Sequence, residues 1–335
     1  MAKDSSRVTL QDIAKATGYT VNTVSRALKN KSDIGAKTRA YIQQVASDMG
    51  YVRNYIASSL RSGRTKTIAM IAGTMVNPFY AILADLLQQE AVKLGYVLVI
   101  LCSRDDPETE THLVEVALSR QVDGVLITPC SFDSPALQLL RSSGIPYVLL
   151  SRYLEGAQDD CVICDDEQGG YLAGRHLIEQ GHRRLAMISF HQVVYSSRKR
   201  FTGFRRACQE AGIPEDHLAC AETAGPDEIL PTLLRWKDQG ITGVFSFCDV
   251  EAWQCATLLE NHGIRVPEDM ELVGFDHIMK YVAFPKPICT VDPNLQEEAR
   301  IAIELIRRRI HEPALPPQQV TLPVSLTCYG TCARP

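Results

Sequence analysis

The stretch that decides the reading of this chain is Val8 to Lys29, VTLQDIAKATGYTVNTVSRALK. It predicts two short helices joined by a tight turn. Thr9 with Asp12 three residues on has the spacing of a capping box, so a first helix starts at Leu10 and runs to Thr17. Gly18 supplies the stop, and Thr20 can cap a second helix from Val21 to about Lys29. At about 100° per residue, Val24, Ala27 and Leu28 share one face, while Asn22 and Arg26, four apart, share the other. The apolar face can pack on Ile13 and Ala14. The opposite face offers an amide and a guanidinium, the groups that read adenine and guanine edges in a major groove. This is a helix-turn-helix pattern. A third helix over Ala36 to Met49, with the apolar stripe Ile42, Val45, Ala46 and Met49 and a stop at Gly50, completes a headpiece.

Charge supports that reading only once it is divided along the chain. The net charge of the 335 residues is −4. Residues 1–64 carry 11 Lys and Arg against four Asp, a balance of +7 that leaves −11 for the remainder. A basic head on an acidic body fits a phosphate-binding module joined to something that need not touch nucleic acid. The polar N-terminus MAKDSSRVTLQD is no signal peptide, and no run reaches the ~18 apolar residues of a membrane span. The 11 cysteines are scattered, mostly inside apolar runs, which fits reduced thiols in a cytoplasmic protein. Cys161-Val-Ile-Cys164 has knuckle spacing, and Cys328 and Cys332 could form a second half. The first pair reads as strand and the second is looser, so no metal site is expected.

From Thr67 onward strands and helices alternate. Strands are expected at 68–73, 96–102, 123–128 and 145–151. Helices are expected from Phe79 to Leu94, Glu108 to Ser119 and around Pro135 to Ser142. A second series follows: helix Gly169–Gln180, strand 184–190, helices Lys199–Ala211 and Asp227–Gln239, strand 243–248, helix Val250–His262 and strand 270–275. Helix Asn294–His311 and the segment Pro316–Tyr329 close the chain. This alternation predicts two α/β lobes with doubly wound parallel sheets and a cleft between them. The first strand ends Ala72-Gly73-Thr74-Met75, without a phosphate loop or a GxGxxG pattern. No Ser/Cys-His-acid set marks a nucleophile elbow, so an enzyme is not expected.

In order along the chain, VTLQDIAKATGYTVNTVSRAL, IASSLRSGRT, NPFY, VDGVLI, DDEQGGYLAGRHLIEQGHRRLAMI, RKRFTGFRRACQEAGI, IRVPEDMELVGFDH and CTVDPN resemble the lac repressor family of bacterial transcription regulators over almost the whole length. The resemblance implies a headpiece at 1–52, a hinge helix and linker at 53–65, and a periplasmic-binding-protein-like body at 66–335. The N-lobe of that body would hold about 66–164 and 293–322, the C-lobe about 165–292 and 323–332. It further implies a cytoplasmic, nucleoid-associated repressor of sugar uptake or catabolism genes, acting as a homodimer on a pseudo-palindromic operator in double-stranded DNA, with no membrane contact.

Under that resemblance Val21, Asn22 and Arg26 are the base-reading positions, and Thr9, Thr20, Thr23 and Ser25 touch phosphates. In the hinge, Leu60 matches a leucine that wedges into the minor groove, and Ala57 the small residue that lets two hinges pack. The family usually has proline where this chain has Arg53. Cleft positions carried over are Phe79, Tyr80, Ser151, Arg152, Asp165, Arg198, Arg200, Asp249 and Asp276. The family's Asn-Asp after the strand GVFSF is Cys248-Asp249 here, which loses an amide. No cofactor is implied beyond a small-molecule effector, a sugar or sugar phosphate. A nucleobase corepressor is the alternative, and a secreted sugar-binding protein is disfavoured by the basic head.

Overall fold

The computed structural model describes residues 8–52, 63–131, 134–152, 158–189, 195–222, 226–284 and 286–329. It divides into two compact units, Met1–Thr65 and Lys66–Pro335.

In the first unit, α1 (Leu10–Thr17), α2 (Val21–Leu28) and α3 (Ala36–Asp48) pack around Ile13, Val24, Ala27, Ile42 and Ala46, all buried. Local chemistry sets the helix ends. The Thr9 backbone N–H donates to Asp12 Oδ2 at 2.9 Å, and the Asp12 N–H donates to Thr9 Oγ1 at 3.3 Å, the reciprocal pair expected from the spacing. Gly18, at φ +74°, takes the left-handed conformation that ends α1. Thr20 Oγ1 accepts from the Thr23 N–H at 3.2 Å to start α2. The turn before α3 is held by Arg39, which donates to the Ile34 carbonyl at 2.8 Å.

The second unit holds two six-stranded sheets. The N-lobe sheet is built from β1 (Thr67–Ala72), β2 (Val97–Cys102), β3 (Gly124–Ile127), β4 (Tyr147–Leu150), β5 (Cys161–Cys164) and β11 (Gln319–Leu322), in the order β11-β5-β4-β3-β1-β2 and parallel throughout. Helices α4 (Pro78–Lys93), α5 (Pro107–Ser119) and α6 (Pro135–Ser143) alternate with its strands, and α11 (Leu295–His311) returns from the far end of the chain to pack on this lobe. The C-lobe sheet uses β6 (Leu185–Ser189), β7 (Leu218–Glu222), β8 (Gly243–Ser246), β9 (Glu271–Phe275), β10 (Cys289–Asp292) and β12 (Ser325–Thr327), in the order β12-β10-β9-β8-β6-β7. Its helices are α7 (Asp166–Glu179), α8 (Tyr195–Glu210), α9 (Pro226–Asp238) and α10 (Asp249–Asn261). The chain passes between the sheets after β5, after β10 and after β11, so the lobes are joined by three strands of backbone.

Two strands, β7 and β10, escape the pattern reading. Each has only four or five residues, and β7 lies at a sheet edge with mixed exposure, which leaves little apolar signal. The segment Pro316–Tyr329 forms two short strands in different sheets, and β12 pairs antiparallel to β10, a departure from the expected parallel order.

One packing contact positions the cleft. Helices α7 and α8 approach backbone to backbone. A Cβ on Gly170 would lie 1.8 Å from the Arg200 carbonyl oxygen, and one on Gly203 would lie 1.8 Å from the Glu167 carbonyl oxygen. Only hydrogen at both positions permits this crossing, and it carries Arg200 inward to the start of α7.

Candidate DNA-contact surface and effector cleft

On the headpiece, α2 shows its two faces as the spacing predicts. Val24 and Ala27 are buried, while Val21, Asn22 and Arg26 are exposed. Arg26 forms an ion pair with Asp33, so its guanidinium is held at the surface by an acid from the following turn. Thr9 and Thr20 are exposed and spend their hydroxyls on caps, Thr20 also pairing with Thr23 Oγ1 at 2.9 Å. Ser25 is half-buried on the side of α2 next to the core. Tyr19, an exposed aromatic in the turn that the sequence reading passed over, lies beside this surface in the chain. The hinge candidates Ala57 and Leu60, and Arg53, lie outside the described residues.

The cleft of the second unit has an arginine centre on each lobe. On the N-lobe, Arg152 donates to Asp105 Oδ1 at 2.7 Å, to the Pro129 carbonyl at 3.1 Å and to the Tyr80 hydroxyl at 3.1 Å. Beside it Ser151 sits at φ +56° and donates to Glu298 Oε1 at 2.7 Å. On the C-lobe, Arg200 donates to Asp166 Oδ1 at 2.8 Å and to the Phe247 carbonyl at 2.6 Å. Its guanidinium lies over the Phe275 ring, 3.4 Å from the centroid. Arg200 and Asp166 are both buried, so a surface reading of this arginine is ruled out.

Asp276 ends β9 at φ +105°, followed by His277 at φ +49°. Two left-handed non-glycine residues in succession are strained, and such turns cluster at functional sites. The side chain is buried, and no described residue hydrogen-bonds its carboxylate. Burial pushes its pKa well above the carboxylate range; Arg200 opposes this, and Asp249 and Asp166 add to it. Tyr80 is raised to about 12, first by burial, with Arg152 opposing and Asp105 and Asp276 adding. Thus Arg152 and Tyr80 are joined by a hydrogen bond on the N-lobe, and Arg200 and Asp276 are both buried in the C-lobe.

Other predicted cleft residues fall elsewhere. Asp165 accepts from the Gln168 N–H at 2.9 Å as the N-cap of α7, and its neighbour Asp166 is the carboxylate that turns inward. Asp249 is buried with both oxygens engaged, one by Thr290 Oγ1 at 2.5 Å and one by the Ile278 N–H at 2.8 Å. It ties the turn after Asp276 to β10, and it fits there because a Cβ on Gly274 would sit 2.2 Å from its Oδ1. Arg198 is exposed; two positions from Arg200, it points about 200° round α8. Phe79 is buried in the N-lobe core, edge-on to Tyr80 at 5.1 Å, and serves as packing beneath it. Asp105, Asp166 and Glu298 were missed. The pair Asp165-Asp166 carries no signal of which acid turns inward, and Glu298 lies nearly 150 residues from its partner Ser151.

A helix-turn-helix unit and a two-lobed α/β body with polar groups converging between the lobes define a ligand-responsive DNA-binding protein. The pattern of the bacterial regulatory proteins of the lacI family matches residues 9–54. That of the periplasmic binding proteins and sugar binding domain of the LacI family matches 65–228, and a periplasmic binding protein-like domain matches 175–332. The chain is 35% identical over 301 residues to the HTH-type transcriptional regulator DegA of Bacillus subtilis, covering 87% of this chain and 88% of that one. It is 28% identical to the HTH-type transcriptional repressor PurR of Photobacterium profundum, covering 91% and 92%. Among solved structures, the transcriptional regulator CelR–cellobiose complex superposes with a TM-score of 0.70 at 26% identity, over 97% of this chain and all of that one. The protein belongs to the LacI family of bacterial transcriptional regulators. The relatives named here are transcriptional regulators. Among the described residues no helix is long and apolar enough to cross a membrane.

Proposed function

We propose that this regulator is a homodimeric repressor whose grip on a pseudo-palindromic operator is controlled by a neutral, hydroxyl-rich small molecule, a sugar, bound between the lobes. The observation that carries the ligand class is the charge arrangement of the cleft. Arg152 is answered by Asp105 and Arg200 by Asp166, while the buried Asp276 carboxyl has no hydrogen-bond partner among the described residues. A carboxyl of this kind exchanges hydrogen bonds with hydroxyls, and with Arg152 and Arg200 each answered by an acid neither offers a spare charge to a phosphate, which favours a sugar over a sugar phosphate. The cellobiose complex of CelR is consistent with that choice.

The homodimer is supported by β2. It is an edge strand, and Val97, Val99 and Ile100 are exposed on it, beside Val92 and Leu94 at the end of α4. An uncovered apolar edge invites pairing, and a second copy of the chain would cover it. Operator reading is assigned to Asn22 and Arg26 with apolar contact from Val21, and phosphate contact to Thr9, Thr20, Thr23 and Ser25. The kink at the operator centre is assigned to Leu60, with Ala57 at the hinge contact.

A thermal-shift screen of neutral sugars, sugar phosphates and nucleobases, followed by operator binding with each hit, tests the reading. Ligand at 100 times its Kd should stabilise the body by about 2.7 kcal/mol. A neutral sugar should shift both melting and operator affinity, and Asp276→Asn should blunt both shifts. A response confined to nucleobases or to phosphorylated compounds overturns the ligand class.

A further inference from the structure

We propose that His176, Cys289 and Cys328 form a binding site for a thiophilic d10 cation of the zinc type, which fastens the C-terminal strand to the C-lobe. The site lies apart from the cleft. Strand β12 is a three-residue edge strand. It pairs antiparallel with β10 in the register Thr290 with Thr327, so the next rung places Cys289 opposite Cys328. Directly opposed residues on an antiparallel pair share one face of the sheet. Helix α7 packs on that sheet and brings His176 to the same place. The donor atoms of the three residues all lie within 4.8 Å of one another, and Cys328 Sγ is 3.7 Å from His176 Nδ1. In a tetrahedral zinc site, with bonds of ~2.3 Å to sulfur and ~2.0–2.1 Å to nitrogen, those two donors stand about 3.6 Å apart. Cys328 Sγ and His176 Nδ1 already stand close to that separation.

The outer shell points the same way. His176 Nε2 is 2.9 Å from Glu271 Oε1, and Glu271 Oε2 is 3.0 Å from His182 Nε2, with Glu271 buried. A carboxylate that accepts from Nε2–H leaves Nδ1 as the lone-pair nitrogen, and Nδ1 is the atom facing the thiols. Carboxylate–imidazole pairs of this sort orient histidine ligands in metal sites. His176 and Cys289 are buried while Cys328 is exposed, so the fourth position opens toward solvent. On binding, each thiol releases its proton to water and coordinates as thiolate. The rival use of the two sulfurs is a cross-strand disulfide, but a disulfide has no need of a third donor or of an oriented imidazole. The next residue, Tyr329, hydrogen-bonds through its hydroxyl to His277, which follows Asp276. Fastening Cys328 therefore also braces the strained turn at the cleft.

The test uses full-length protein, stripped with chelator, kept reduced with a phosphine and titrated with Co2+ and then Zn2+. One equivalent of Co2+ should give a thiolate-to-cobalt charge-transfer band that Zn2+ abolishes, and Zn2+ should raise the melting temperature. Cys328→Ser, at an exposed position that the fold tolerates, should lose the band and the thermal shift, while Cys102→Ser keeps both. Glu271→Gln should weaken binding ~10–100-fold. Absence of a stoichiometric band, a band that survives Cys328→Ser, or a Cys289–Cys328 disulfide in protein alkylated at the moment of cell lysis overturns the proposal.

Discussion

Arg200 donates to Asp166 across the α7–α8 contact, Nε to Oδ1 at 2.8 Å, with both side chains buried and the Phe275 ring beneath the guanidinium. A buried pair of this kind costs most when one partner is removed, about 3–5 kcal/mol, because the other charge is left without compensation. Arg200→Ala should therefore lower stability by that order in denaturant unfolding and abolish any effector-induced shift. Arg200→Lys should rescue little, since an ammonium cannot satisfy Asp166 and the Phe247 carbonyl while lying flat on Phe275. A variant of near wild-type stability with an intact effector response would refute this account of the cleft.

The approach of α7 to α8 gives a second expectation. The Cβ of Gly203→Ala would meet the Glu167 carbonyl oxygen at 1.8 Å, so the helices must separate. Destabilisation of more than ~3 kcal/mol is expected, as for other overpacked cores. Displacement of Arg200 should follow, seen as weakened effector binding in whatever protein still folds. Calorimetric titration beside urea unfolding would show both effects, and a tolerated Gly203→Ala would mean that the helix contact is looser than described.

On the headpiece, substitutions at Arg26 and Lys31 test the proposed division between base reading and phosphate attraction. Arg26→Ala should cost about 1–3 kcal/mol of operator affinity and relax preference at one base pair. Lys31→Ala should weaken all sequences alike and reduce the salt slope by about one. Affinity measured on a panel of single-base operator variants at several salt concentrations distinguishes the two, and equal, sequence-independent losses would remove Arg26 from base reading.

The buried acids around the cleft make stability fall with rising pH. Burial raises Glu298 to about 7 despite the hydrogen bond from Ser151, and raises Asp249 to about 7 despite those from Thr290 and Ile278. Both folded values exceed the ordinary ones of 4.5 and 3.8, so the folded state binds these protons more tightly. Their stabilising share is complete below about pH 4 and is lost as pH rises through 7. Glu298→Gln cannot lose a proton. Its melting temperature relative to wild type should thus climb by several degrees between pH 5 and 8. A pH-independent difference would count against a protonated Glu298.

The exposed edge of β2 sets a test of assembly. Val99→Glu places a charge in the apolar strip that it forms with Val97 on one face of β2. Sedimentation should show the dimer giving way to monomer with the melting curve of each subunit little changed, and operator affinity should drop with it. A variant that remains dimeric would move the interface elsewhere.

What was legible beforehand was whatever depends on near neighbours in the chain. Thr9 and Asp12 cap a helix because they are three residues apart, and Val24 and Arg26 take opposite faces of α2 because a helix turns about 100° per residue. Strand–helix alternation likewise predicts the two lobes, though it does not show β10 or the edge strand β7, whose mixed exposure leaves little apolar signal. Some expectations failed in particular ways: Asp165 caps and Asp166 turns in, Asp249 is consumed by Thr290 and Ile278, and Arg198 points outward while Arg200 points in. Cys328 meets Cys289 and His176, a meeting with no sign in the sequence, since the first lies in β10 and the second in α7.

By itself, then, the sequence determined the helix ends, the faces of the reading helix, the alternation of the body and the family. The tertiary structure alone decided which of the buried acids has no hydrogen-bond partner among the described residues and which thiols meet. The physical reason is that both depend on burial and on partners more than 100 residues away. The free energy of a carboxylate or thiol is set by what surrounds it in space, and a local pattern of residues carries no record of that.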